Sequence, residues 1–188
     1  MKKIASMTVV MVCGVGMAVA FSDSGSRQIR EFLLGVQEVP VVSTTGTGTF
    51  EAEISRDGQS ISYTLTFANL EGDVRQSHIH IAPEQNTGNI VLWLCQTPTN
   101  PNPLVGNATP QCFDANNPLT LRSNTVTGVL TGADIAASAA ANGVTTGELD
   151  EVIALIRAGK TYVNVHSAVF PPGEIRSQIE HSHGTDGH

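Results

Sequence analysis

The chain has 188 residues, of which 40% are hydrophobic and 14% charged, and these proportions are typical of a single globular domain. The formal net charge is −7 at pH 7, and the basic side chains beyond position 3 are scattered singly along the sequence. A nucleic-acid partner is therefore not expected, because binding a polyanion requires a basic surface.

The first twenty residues have the features of a secretory signal peptide. Lys2 and Lys3 precede an apolar run over residues 4–17, and Ala18-Val19-Ala20 supplies the small residues of a cleavage site. We predict a signal peptide over residues 1–20, a linker over residues 21–31 and a secreted or periplasmic mature protein. Cleavage removes two lysines and no acid, so the net charge changes from −7 to −9.

An alternative for this segment is a lipoprotein signal with the lipid on Cys13. The preceding residue is Val12, whereas lipoprotein processing prefers a small side chain, and the apolar run continues past Cys13. Cleavage after Ala20 is therefore the preferred interpretation. No later stretch approaches the ~20 consecutive apolar residues of a membrane-spanning helix, so we expect no membrane span in the mature chain.

Alternation of apolar and polar residues predicts strands along most of the remaining chain. The segments "GTGTFEAEI" and "ISYTLTFANL" alternate on either side of an Asp57-Gly58 turn, which predicts a hairpin. Further strands are predicted over residues 37–42, 77–82, 89–95, 119–130, 161–167 and 174–179. Many short strands with Gly and Pro turns predict an all-β fold, a Greek-key β-sandwich or barrel of immunoglobulin-like or superoxide-dismutase-like type.

One helical insertion is predicted between residues 132 and 159. Its second half places Leu149, Val152, Ile153 and Ile156 on one helical stripe, and the preceding "ADIAASAAANG" is a weaker candidate for a second short helix. We interpret the insertion as a crossover that packs against one edge of the sandwich. A cofactor-binding helix is less favoured because no glycine-rich phosphate loop precedes it.

Two cysteines, Cys95 and Cys112, remain after the signal peptide. Disulfides persist outside the cytoplasm, so we predict that these two residues pair. The bridge would close the Pro- and Asn-rich loop "QTPTNPNPLVGNATPQ" and contribute about 3 kcal/mol in the chain-entropy model. Two thiolates that bind a metal are the alternative, although metal sites usually show closer spacing or a partnered His.

Four sequence blocks resemble the CHRD family, whose domain was first described in chordin and also occurs in secreted bacterial proteins. The blocks are "LLGVQEVPVV", "HIHIAP", "TGNIVLWL" and "AGKTYVNVHSAVFPPGEIRSQI", and the resemblance covers residues 32–180. Ser177 stands where the family commonly has Gly, and the loop between the two cysteines looks like an insertion. The resemblance implies an extracytoplasmic β-sandwich but supplies no activity.

Three histidines are candidate metal ligands because of strand alternation. Ile79 and Ile81 require the core, so His78 and His80 share the opposite face of their strand. In "YVNVHS" the same alternation places His166 on the corresponding kind of face. Neutral imidazoles are common ligands of copper and zinc, and the His-x-His strand is similar to the copper strand of Cu/Zn superoxide dismutases. The alternative is a structural cluster of polar groups that ties the strands together.

Two charged residues near the end of the domain also have two interpretations. Glu174 is the nearest candidate in sequence for a fourth metal ligand. Glu174 and Arg176 flank Ile175 on one face, and we prefer a structural role in which they form ion pairs or hydrogen bonds, for example with Glu38. The tail "HSHGTDGH", residues 181–188, is predicted to be disordered and to bind metal weakly at most.

These observations leave two functional hypotheses. The preferred one is a secreted or periplasmic CHRD-domain module that binds an extracytoplasmic protein or surface ligand. The alternative is a small metalloprotein with copper or zinc at His78, His80 and His166. An enzyme is less favoured, because neither a Gly-x-Ser-x-Gly nucleophile elbow nor a Cys-x-x-Cys motif occurs in the sequence.

Overall fold

The computed structural model describes residues 27–104, 106 and 108–180. The predicted signal peptide, Cys13 and the His-rich tail lie outside the described residues. Within the described part, no helix is long and apolar enough to cross a membrane.

Eight antiparallel strands form one sheet, which confirms the predicted all-β fold. The strands are β1 (Gln28–Leu34), β2 (Thr47–Ile54), β3 (Ile61–Ala68), β4 (Val74–Ile81), β5 (Asn89–Cys95), β6 (Asn124–Leu130), β7 (Thr161–Ser167) and β8 (Ile175–Ile179). Their order in the sheet is β5-β4-β7-β8-β1-β2-β3-β6. Strands distant in sequence are therefore neighbours, as in Greek-key folds.

The sheet curves until its two edge strands approach each other. β5 and β6 are in contact, and the Tyr63 hydroxyl of β3 donates a hydrogen bond across the interior to the Leu94 carbonyl of β5. The segment after β6 then pairs with the outer edge of β5, where Ala136 N–H donates to Val91 O at 2.9 Å. The result is a nearly closed barrel that leaves little unpaired edge.

Alternate side chains of the strands fill the barrel interior. Phe50, Leu65, Ile79 and Val163 are all fully buried, and each comes from a different strand. Ile79 and Val163 are direct partners in the register between β4 and β7. The faces assigned from sequence alternation are therefore correct for these two strands.

The long connection from β6 to β7 contains the predicted helical insertion. Two 3₁₀ segments, Gly132–Asp134 and Ala137–Asn142, precede helix α1 (Leu149–Arg157). The four apolar residues of the predicted stripe are buried in the common core. The insertion packs against β5, since Ser138 Oγ donates to Ile90 O at 2.7 Å. The alanine-rich segment is 3₁₀ rather than α-helical, and it ends at Gly143 with a φ of 84°.

Two predicted strands differ from the observed ones. Residues 37–42 form no strand, because a 3₁₀ turn over Gly35–Gln37 and a cis Val39–Pro40 peptide direct this segment across one face of the sheet. The strand in this region is β1, which begins at Gln28 inside the predicted linker. The strand predicted over residues 119–130 begins only at Asn124, because Pro118–Leu121 forms a 3₁₀ turn.

A disulfide joins Cys95 and Cys112, as the sequence predicts. Both residues are buried, and the enclosed loop returns alongside β5, where Cys112 N–H donates to Gln96 O at 2.8 Å. The bridge therefore ties the loop to the end of β5.

Candidate metal centre

Strands β4 and β7 lie side by side and bring three histidines together. In the register His78 faces Asn164, His80 faces Tyr162 and His166 faces Gln76. The ligand atoms of His78, His80 and His166 all lie within 4.8 Å of one another. The convergence predicted from sequence is therefore observed. This group is called the histidine triad below.

The triad lies under a cover rather than on an open sheet face. His78 has no exposed surface, and His80 and His166 are 7% and 6% exposed. Loops contribute two of the contacts: His80 Nδ1 lies 3.0 Å from Gly88 O, and His166 Nδ1 lies 2.8 Å from Pro171 O. Alternation places the histidines on the second face of their strands, but it does not show that loops cover that face.

These carbonyl contacts fix the tautomers of two rings. A carbonyl oxygen only accepts, so His80 and His166 each carry their proton on Nδ1 and leave Nε2 as a lone pair. His78 Nδ1 lies 3.1 Å from His166 Nε2 and therefore donates to it. The Nε2 atoms of His78 and His80 are buried and have no hydrogen-bond partner among the described residues.

Gly88 is required for the contact to His80. A Cβ at this position would lie 1.9 Å from the Ile81 carbonyl oxygen, so no other residue fits without moving the backbone. The glycine of the "TGNIVLWL" block thus brings its own carbonyl to the His80 ring.

Burial keeps the three rings neutral. It lowers the pKa of His80 to about 4, and it lowers the pKa of His166 from its usual range. The pKa of His78 is well below its usual value, first because of burial and then because of the neighbouring His166 and His80. Neutral imidazole is the form that binds a metal, so this environment favours the ligand state.

Aromatic rings surround the triad on two sides. The Trp93 ring of β5 meets His78 edge-on with the centroids 4.2 Å apart. The Tyr162 ring lies parallel to His80 at 4.6 Å, and the Arg176 guanidinium lies 3.5 Å from the Tyr162 centroid. Arg176, Tyr162 and His80 therefore form a continuous stack.

Glu174 does not join the triad. Its Oε1 accepts hydrogen bonds from Thr44 Oγ1 and from the Glu71 backbone N–H, both at 2.7 Å. These contacts hold the loop before β2 and the loop after β3 against the start of β8. Glu174 was a candidate fourth ligand because it is close to His166 in the sequence. In the fold its carboxylate instead joins two loops.

The expected partners of Arg176 are also different. Glu38 is buried, but its Oε1 accepts from Asn164 Nδ2 at 3.4 Å, and the ion pairs among the described residues do not include Arg176. Burial raises the pKa of Glu38 to about 7. The carboxylate packs beside Gly173, where a Cβ would lie 2.1 Å from Glu38 Oε1.

The donor set fits a small transition-metal site. Tetrahedral zinc with Zn–N bonds of about 2.0–2.1 Å requires nitrogen atoms about 3.4 Å apart. The ligand atoms of the triad lie within 4.8 Å of one another, and a separation of that size closes with a movement of about 1.5 Å. In metal-binding histidines the ring nitrogen that does not bind the metal typically donates to a carbonyl or carboxylate, as Nδ1 of His80 and His166 does here.

Sequence reasoning missed Trp93 and the carbonyls of Gly88 and Pro171. Trp93 of β5 is the register partner of His78. The register shifts on either side of the His78–Ile79 pair, so this partner cannot be found by counting residues along the two strands. The carbonyl contacts depend on loop conformation, for which side-chain patterns carry no signal.

The family model of the CHRD domain matches this chain over residues 31–179. Comparison with curated proteins and with solved structures gave no match. The matched range begins within β1 at Glu31 and includes the other seven strands and all three residues of the triad.

Proposed function

Because the chain belongs to the CHRD family, we propose that it acts outside the cytoplasm as a binding module and that its histidine triad holds a Cu(II) or Zn(II) ion. Family membership supports an interaction module in general, with an extracytoplasmic protein or surface ligand as the partner. The disulfide between Cys95 and Cys112 agrees with an oxidising compartment.

The observation that carries the metal proposal is the pair of buried Nε2 atoms on His78 and His80. A buried acceptor without a donor costs about 1–3 kcal/mol, so two adjacent ones need a compensating interaction. A metal ion that accepts both lone pairs removes this cost. His166 supplies the third nitrogen when the hydrogen bond from His78 is released.

The roles of the surrounding residues follow from their contacts. The Gly88 and Pro171 carbonyls hold the rings of His80 and His166 in orientation and increase their basicity. Trp93 and Tyr162 restrict water, and three nitrogen ligands leave a coordination position for water or a further ligand.

The competing interpretation is a purely structural polar cluster, in which the imidazoles only join strands and loops. Titration of metal-free protein with Cu(II) and Zn(II) distinguishes the two. The full chain carries His181→Ala, His183→Ala and His188→Ala, so that the tail histidines contribute nothing to binding. Trp93 is the only tryptophan and reports directly, because Cu(II) near His78 quenches its fluorescence.

We expect saturable binding of one ion, with affinity reduced at least about tenfold in His80→Ala and His166→Ala. Val129→Ala is the control: this residue is 63% exposed on β6, which pairs with β3 and not with β4 or β7, and the change should leave metal affinity unchanged. If the unsubstituted site binds neither ion more tightly than the two alanine variants, the triad is structural and the metal proposal is wrong.

A further inference from the structure

A cavity of about 400 Å³ lies beside the triad, between the segment after β1 and the outer face of β8. Its volume falls within the range of small-molecule sites, roughly 300–1,000 Å³. It is lined by residues 36–41, by Glu84 and Gln85 after β4, and by Arg176 and Gln178 of β8.

One wall of the cavity is apolar. Val36, Val39, Pro40 and Val41 form it, and Val36 and Val41 are 66% and 68% exposed. Their exposure leaves apolar surface available to a ligand, and covering it would be favourable by about 25 cal/mol per Å². The "QEVPVV" stretch, which forms no strand, therefore serves as the wall of a cavity.

The opposite wall carries a buried cation. Arg176 is 2% exposed, and its guanidinium lies on the Tyr162 ring. Its Nη2 donates to Gln178 Oε1 at 3.4 Å, whereas its Nη1 has no hydrogen-bond partner among the described residues. A buried guanidinium with unfilled donor capacity is a strong attractor for a carboxylate.

Two acids line the same cavity, and neither neutralises Arg176 by direct contact. The Glu38 carboxyl accepts from Asn164, and burial raises its pKa to about 7, so much of it is protonated near neutral pH. Glu84 is exposed, and water and salt screen its charge. Tyr162, Glu38 and Glu84 are the titratable groups that act on Arg176.

We propose that this cavity binds a small aliphatic carboxylate, with the carboxylate directed at Arg176 and the carbon chain against Val36, Val39, Pro40 and Val41. A monocarboxylate of four to six carbons suits the volume and provides both an anionic and an apolar end. The site is separate from the histidine triad, which it approaches through the Arg176–Tyr162–His80 stack, and it does not depend on a bound metal.

Binding of 4-methylpentanoate to the metal-free full chain tests this proposal, measured by ligand-observed NMR or calorimetry. The matched probes are 4-methylpentanamide, which has the same shape without charge, and 3-methylbutylamine, which has the opposite charge. We expect the carboxylate to bind at least about tenfold more tightly than the amide, because its hydrogen bonds to arginine are charge-assisted. The amine should bind most weakly.

Variants at exposed positions keep the test independent of folding. Val41→Glu places a carboxylate on the cavity wall, whereas Val129→Glu makes the same change on β6 at a residue that is 63% exposed and does not line the cavity. Val41→Glu should weaken 4-methylpentanoate binding about fivefold or more, and Val129→Glu should not. The proposal is overturned if the carboxylate does not bind, if the amide or amine binds equally well, or if the two variants behave alike.

Discussion

At the scale of single residues, the buried histidines link protonation to folding. Unfolding exposes each imidazole to water and returns its pKa to about 6.5. Below that pH the unfolded state of the chain binds more protons than the folded state, because burial lowers the pKa of all three rings. Stability from the neutral rings is therefore complete above pH 6.5 and is lost as pH falls toward the folded-state values.

We expect the free energy of unfolding of metal-free protein to fall between pH 6.5 and 4, with about 3 kcal/mol of the change from His80. Glu38 acts in the opposite direction, because its raised pKa stabilises the fold at low pH and this contribution is lost as pH rises through 7. Urea unfolding at several pH values, in a Glu38→Gln background, isolates the histidine contribution. An equally steep pH dependence in His80→Phe would contradict this assignment.

Glu174 provides a second test at the same scale. Its Oε1 accepts from Thr44 and from the Glu71 backbone, and both donors lose a charged acceptor in Glu174→Gln. We expect this variant to lose about 1–3 kcal/mol of stability while its affinity for Cu(II) or Zn(II) is unchanged. Thermal unfolding and metal titration of the same sample measure both. A loss of metal affinity comparable with that of His166→Ala would mean that Glu174 is a metal ligand.

At the scale of elements, strands β4 and β7 are buried on both faces, and the two faces carry different kinds of side chain. Isoleucines and valines on their inner faces fill the barrel, whereas the outer faces carry the triad, Tyr162 and Asn164 under the covering loops. Every residue of β7 is buried, which is unusual for a strand with alternating apolar and polar residues. The covering segments over residues 35–42, 82–89 and 168–173 account for this.

The side-chain assignment of β7 is tested by charge insertion. Val163→Asp places a carboxylate in the core and should cost more than about 3 kcal/mol. The control is Val129→Asp, which makes the same change on β6 at a residue that is 63% exposed. Its effect should stay within about 0.5 kcal/mol. Equal urea midpoints for the two variants would mean that the inner and outer faces are reversed.

Alternation was sufficient to predict the elements with one clear face. The β2–β3 hairpin, the buried stripe of α1 and the inward isoleucines of β4 all follow from apolar spacing. The segment after Leu34 did not follow, because its valines alternate like a strand while Gly35 and Pro40 bend the backbone out of the sheet. The three triad residues could be predicted because alternation along a strand assigns each side chain to a face without any knowledge of the loops. Their cover depends on loop backbone and could not be found.

At the scale of the whole molecule, family membership and the disulfide are consistent with a protein that folds after export. The first residues in the described part already belong to β1, which pairs with β2 along its full length.

We predict a signal peptide over residues 1–20. We expect the secreted protein to begin at Phe21, because positive, apolar and small residues succeed one another in the order of a signal peptide. N-terminal sequencing and intact mass of material secreted by the native host check this. A mature chain that retains Met1, or one that carries a lipid on Cys13, would contradict it.

We propose that His78, His80 and His166 bind one metal ion through their ring nitrogens. Electron paramagnetic resonance of the Cu(II)-loaded chain, with the three tail histidines replaced by alanine, measures this most directly, because coordinated imidazole nitrogens give resolvable hyperfine couplings. We predict a single copper species with imidazole nitrogen couplings that change in both His80→Ala and His166→Ala. A spectrum of weakly bound copper without such couplings, identical in all three proteins, would contradict it.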